Sequence, residues 1–198
     1  MFCGKSSELS RRVRLQHIAQ KSVLHIKFDL EKSVGKHSKD VEFVTINDRE
    51  SRVENCTKLS DLGKKYLEFD VVGVDEAHYF NDLVEFCENV ANSGRKCVVS
   101  ATQGNFERNK FPQVIALIPK CEKIKKLQAI CKLCKQNASF SFRCTEERYE
   151  DVFGKNMIGG DGMYMPLCRD CHGRESRLQE AHGNRNRLSS GDAQIRKD

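Results

Sequence analysis

The stretch Val71-Val72-Gly73-Val74-Asp75-Glu76-Ala77-His78-Tyr79-Phe80 decides how the rest of this chain is read. Three valines and a glycine run straight into two acids, and aromatic residues follow. A short apolar run of this kind fits a strand buried on both faces of a parallel sheet. At its end, Asp75 is placed to orient Mg²⁺ or one of its waters at a phosphate. Glu76 beside it is suited to activate a water, or to take the proton of an alcohol during phosphoryl transfer.

An acid of this kind needs a phosphate cradle, and one is found upstream. Gly4-Lys5-Ser6 opens a helical pattern over Ser6 to Ala19, with Leu9, Val13 and Ile18 roughly on one face. It reads as the second half of a P-loop: amides at the helix start hold phosphates, Lys5 reaches the β/γ oxygens and Ser6 holds Mg²⁺. Only three residues precede Gly4, so the leading glycine of G-x-x-x-x-G-K-S and its feeding strand are not in the sequence. If that strand is central to the sheet, two strand edges are left open, and residues 1–198 alone are expected to bind ATP weakly.

Between these halves, Val23 to Phe28 and Val41 to Ile46 read as strands and Arg52 to Leu67 as a helix weakened by Gly63. Beyond Glu76, a helix is expected over Asn81 to Ala91, stopped by Ser93-Gly94, and a buried strand over Lys96 to Ala101. Strands alternating with helices predict an α/β fold, a mostly parallel P-loop sheet with helices on both faces. The rhythm is lost after Ile118-Pro119. The expected organisation is a nucleotide-binding domain over 1–119, a small metal-binding domain over 120–172, and a disordered tail over 173–198 that is poor in large apolar residues.

A length of 198 residues allows one core and a small satellite, not the two cores of a nucleic-acid motor. The net charge of +6 is interleaved along the chain rather than massed, so it implies no nucleic-acid partner. No run approaches a membrane span, and no apolar leader precedes the folded pattern, so a cytoplasmic protein is expected. In that compartment the ten cysteines are expected as thiols or metal ligands. Cys87 and Cys97 read as core residues. Cys131-x-x-Cys134 and Cys168-x-x-Cys171 each put two thiolates on one turn, and together they complete a closed Cys₄ structural zinc site. His172 adjoins the last ligand and is a possible substitute for one. The loop between the two pairs carries Ile158-Gly159-Gly160-Asp161-Gly162, dense enough in glycine for close backbone approach to a ligand.

Three short words, DEAH at Asp75–His78, Ser100-Ala101-Thr102 and Gly4-Lys5-Ser6, also occur in helicases. A longer set, MFCGKSSEL, VDEAHYF, VEFCENVANSGRKCVV, GNFERNKF, CKLC and MIGGDGMYMPLCRDC, resembles the zinc-containing, type II thymidine kinases over nearly all of the folded part. The resemblance implies transfer of the ATP γ-phosphate to the 5′-hydroxyl of thymidine, with deoxyuridine as a weaker substrate, in deoxynucleotide salvage. It makes Glu76 the general base and puts Met1, Phe2, Cys3, Gly4, Lys5, Ser6, Asp75, Ala77 and His78 on ATP and Mg²⁺. Tyr79, Phe106, Phe111, Ser141, Met157, Ile158, Gly159 and Tyr164 fall to the nucleoside, the thymine being gripped by a lasso held by zinc. It also implies a homotetramer. The chain departs from the family pattern at His78, usually Gln, at Tyr79, usually Phe, and at Glu31-Lys32-Ser33, where an Asp-x-Arg is usual. A helicase fragment and a non-enzymatic, zinc-stabilised relative are the alternatives.

Overall fold

The computed structural model describes residues 2–29, 51–144 and 163–191. They fall into two compact units, one made of residues 4–29 and 51–127, the other of 2–3, 128–144 and 163–191. The break therefore follows residue 127, not 119.

In the larger unit, helix α1 (Lys5–Ile18) is followed by strands β1 (Val23–Phe28), β2 (Ser51–Cys56) and β3 (Val71–Asp75), helix α2 (Leu83–Asn92), strand β4 (Lys96–Val99) and helix α3 (Pro112–Leu117). The four strands form one sheet in the order β2-β1-β3-β4, and every pairing is parallel. Strict alternation splits their side chains between two cores. Val23, Val71 and Val98 join Leu9 and Val13 of α1 on one face. Leu24, Ile26, Phe28, Val72 and Val74 pack with Leu83, Phe86, Cys87 and Val90 of α2 on the other. Helices thus cover both faces, as expected of an α/β sheet. Gly73 lets α1 come close, since a Cβ there would lie 3.2 Å from Val13 Cγ2 and 3.5 Å from Leu9 Cδ1. The strand expected ahead of Gly4 leaves no gap among these four, which pair continuously.

Several elements differ from the sequence reading. Ile18 is not on the buried face of α1 but 70% exposed. Val41 to Ile46 lies outside the described residues. Residues 52–67 are not a helix. Ser51–Cys56 pairs residue for residue with β1, and two 3-10 turns follow, Leu59–Leu62 and Lys65–Glu68. Val53, Cys56, Leu59 and Leu62 recur every three residues, which resembles a helix stripe but is also the period of a 3-10 turn. Gly63, at φ 53°, ends the first turn. The Asp82 carboxylate accepts the N–H groups of Leu59 (3.3 Å) and Ser60 (2.8 Å) at the start of that turn. Strand β4 stops at Val99 and is only partly buried. Cys87 is buried as expected, and its sulfur lies 3.8 Å from that of the half-buried Cys97.

The smaller unit holds two antiparallel ribbons, β5 (Ala129–Ile130) with β6 (Asn137–Ala138) and β7 (Phe140–Arg143) with β8 (Tyr164–Leu167). Helix α4 (Arg169–Gly191) covers most of what reads in sequence as a disordered tail. Its Arg, Glu, Gln, Leu and Ala residues are good helix formers, and low hydrophobicity alone did not reveal that. No helix among the described residues is long and apolar enough to cross a membrane.

Candidate functional site

The site begins where β3 ends. Asp75 is buried, with 7% of its surface exposed, and one carboxylate oxygen accepts the Glu76 N–H at 2.9 Å. Glu76 then takes a left-handed backbone, φ 47° and ψ 38°, a conformation that costs a non-glycine residue on the order of 1 kcal/mol or more. The strain is held by its surroundings: the Ala77 N–H donates to the Ser100 carbonyl (3.0 Å), and the Ser100 N–H donates to the Val74 carbonyl (2.8 Å). The turn puts the Glu76 carboxylate 3.7 Å from the Lys5 ammonium. Partial burial raises the proton affinity of Glu76, Lys5 opposes that rise, and Asp75 adds to it. A carboxylate of this kind is a stronger base than a solvated one.

Gly4, at φ +74°, sits exposed just before α1 in the left-handed conformation that a glycine adopts without penalty. Lys5 opens the helix, and Ser6 is exposed in its first turn. The helix start and the strand end bring Lys5 and Glu76 together, with Asp75 next to Glu76.

His78 belongs to a different layer. Its ring lies 4.2 Å from Tyr79 and 4.7 Å, edge-on, from Phe111. Tyr79 in turn lies 5.1 Å from Phe28. Burial first, then the Lys5 charge, hold His78 down to about 3, so the imidazole is neutral. Its Nδ1 accepts the Thr102 N–H (3.4 Å) and lies 3.5 Å from a Glu76 oxygen. With Nδ1 an acceptor, the proton sits on Nε2. Ala77 has no surface for ATP or Mg²⁺: it is fully buried, its N–H goes to Ser100, and its carbonyl accepts from Phe80. Phe106 is half-buried in the loop that the Gly104–Lys110 bridge closes.

In the smaller unit, Phe2 is exposed and Cys3 packs against the cluster around Cys131. Ser141 and Tyr164 sit on neighbouring strands of the β7–β8 ribbon, opposite Pro166 and Arg143 respectively. Met1, Met157, Ile158 and Gly159 lie outside the described residues.

The sulfur atoms of Cys131, Cys134, Cys168 and Cys171 all lie within 4.8 Å of one another. The sulfurs of Cys134 and Cys168 lie 3.5 Å apart. Four sulfurs around one zinc at ~2.3 Å stand roughly 3.8 Å apart, so the cluster is of the right size for one ion. The first pair sits on the turn joining β5 to β6, where Lys135 adopts φ 64° and the Cys131 N–H donates to the Gln136 carbonyl. The second pair spans the end of β8 and the first turn of α4. Burial pushes the Cys131 thiol up, but amides of Cys134, Cys168 and Leu133 around the sulfur outweigh it and bring it down to about 6. These residues could hold a metal ion. His172 is not among them; its buried ring lies edge-on between Phe140 (5.7 Å) and Phe142 (5.6 Å).

Sequence reasoning gave no role to the buried Ser100 or to the half-buried His25, whose Nε2 is buried. The first was read only within a buried strand and a helicase word, and the second only within a strand rich in β-branched residues.

One unit is a parallel α/β sheet with a lysine set against paired acids, and the other carries four thiols that could hold a metal ion; together these define a kinase class. The family model described as thymidine kinase matches residues 1–172. The chain is 39% identical over 172 residues to the thymidine kinase of Vaccinia virus (strain Western Reserve), covering 87% of this chain and 92% of that one. It is similarly 39% identical to the thymidine kinases of Monkeypox virus, over 176 residues, and of Variola virus (isolate Human/India/Ind3/1967), over 173, with the same coverage. The chain belongs to the thymidine kinase family.

Proposed function

We propose that this chain transfers the γ-phosphoryl group of ATP to the 5′-hydroxyl of thymidine. The observation that carries this reading is the Lys5 ammonium 3.7 Å from the Glu76 carboxylate at the end of β3, beside the buried Asp75, in a chain of this family. Glu76 takes the proton of the 5′-hydroxyl as its oxygen bonds to the γ-phosphorus and the bond to the ADP oxygen breaks. Lys5 offsets charge on the phosphate oxygens, and the amides after Gly4 at the start of α1 bind them. Asp75 and Ser6 would hold Mg²⁺, which supplies charge neutralisation at the phosphates.

Tyr79, Phe106 and Phe111 form the proposed aromatic surround of the nucleoside. Met157, Ile158, Gly159, Tyr164 and Ser141 read the pyrimidine edge, so purine nucleosides are rejected. Cys131, Cys134, Cys168 and Cys171 hold a structural zinc with no open position. The role is deoxynucleotide salvage in the cytoplasm by a homotetramer, whose assembly light scattering would measure. ADP release with thymidine, deoxyuridine and deoxyadenosine tests the reading. Thymidine should be fastest and deoxyuridine slower; deoxyadenosine turned over as fast as thymidine would overturn the pyrimidine assignment.

A further inference from the structure

We propose that Ser100 is a further donor-binding residue, whose hydroxyl bonds to the metal–triphosphate group of ATP. The inference rests on the reading that Lys5, Ser6 and Asp75 hold that group.

Ser100 follows the last residue of β4, and its backbone is fixed on both sides of the acidic turn, to Val74 and to Ala77. Alternation along β4 puts its side chain on the same face as Val98, which packs with Leu9 and Val13 of α1. The same alternation along β3, through Val71 and Gly73, puts Asp75 on that face too. The Ser100 hydroxyl therefore stands at the C-terminal end of the sheet, on the side where α1 begins with Lys5.

Among the described residues the hydroxyl has no hydrogen-bond partner. Ser100 is 7% exposed, and its Oγ is buried without a hydrogen-bond partner. Native proteins rarely leave such an atom unsatisfied, because its desolvation is not repaid. His25 Nε2, on β1 and on the same face, is likewise buried without a partner. Asp75 is a buried carboxylate with no lysine, arginine or histidine within ion-pair distance among the described residues. A buried acid with no cationic side chain within ion-pair distance among the described residues, and an idle hydroxyl at the same end of the same face, would suit a hydrated divalent cation beside phosphates. A serine hydroxyl both donates and accepts, so it suits either a phosphate oxygen or a cation-bound water.

Thermal melting of the full chain with and without MgATP tests this, together with the KM for each substrate. Without nucleotide, Ser100→Ala should melt no lower than wild type, because it removes an unsatisfied buried group. Its MgATP-induced rise in Tm should shrink, and its KM for ATP should rise on the order of 10-fold, with KM for thymidine unchanged. Ser100→Cys keeps the volume with a poor hydrogen-bonding group and should behave the same way. A raised Mg²⁺ requirement identifies a cation-bound water as the contact; an unchanged one identifies a phosphate oxygen. If both variants keep the wild-type MgATP shift and KM while Lys5→Ala loses them, the role of Ser100 is refuted and the donor site stands. If Lys5→Ala also keeps them, or wild type shows no MgATP shift, the donor-site reading fails and this inference with it.

Discussion

Glu76, the proposed base, holds its carboxylate near Lys5 through a strained backbone. A left-handed φ of 47° is maintained because the neighbouring amides and carbonyls are tied to the end of β4, and the reward is a carboxylate aimed at Lys5. Glu76→Gln preserves shape and removes the ability to accept a proton. Its kcat should fall on the order of 10²–10⁴-fold with both KM values nearly unchanged, read from steady-state kinetics. Near-normal turnover would shift the base to another group. The acids and the lysine were legible because each stands at a position, a strand end or a helix start, that gives its residue type a chemical meaning. The surroundings of Ala77, His78 and Ser100 were not. They depend on which face of the turn each side chain occupies, and a run of adjacent letters does not say that.

The elements that position this turn are held by contacts distant in sequence. The Asp82 carboxylate caps the 3-10 turn that starts at Leu59. Asp82→Ala should destabilise the larger unit by about 1–3 kcal/mol, measured by urea unfolding, since two amides lose their acceptor. Asp70 ties the entry of β3 to that of β1: its carboxylate accepts the N–H (2.9 Å) and the hydroxyl (3.0 Å) of Ser22. These bonds, the backbone one first, hold its carboxyl below the ordinary range. A group depressed in the folded state stabilises above its unfolded pKa, roughly 4, and that stability is lost as pH falls through the folded value. Wild type should therefore melt above Asp70→Asn at pH 7, and the gap should close as pH falls below the ordinary carboxylate range. An unchanging gap would mean that the ionised carboxylate contributes nothing. Strands β1 and β3 and helices α1 and α2 were legible because their apolar pattern is local. Strand β2 was not, since the pairing with β1 that makes it a strand overrides a three-residue apolar spacing that reads equally as a helix.

At the scale of the whole molecule, two units carry separate stabilising devices: a two-faced apolar core in one and a four-thiol cluster in the other. The cysteine cluster was legible from spacing alone, because paired C-x-x-C turns put four thiolates within reach of one ion. Freshly purified, reduced protein should carry one Zn²⁺ per chain by native mass spectrometry. Cys168→Ser, or chelation, should release it and unfold the smaller unit at a lower temperature than the larger one. Protein without zinc that melts unchanged would refute the metal centre. Helix α4 was not legible, because its sequence is polar enough for a solvated coil and its helical propensity is spread evenly along it.

The most direct measurement of the central claim follows a labelled γ-phosphate from ATP into thymidine, with Glu76→Gln run alongside. Label is expected at the 5′-oxygen of thymidine, with one ADP formed for each, and both should be lost in the variant. Release of labelled inorganic phosphate, stimulated by nucleic acid and with no label in thymidine, would contradict it.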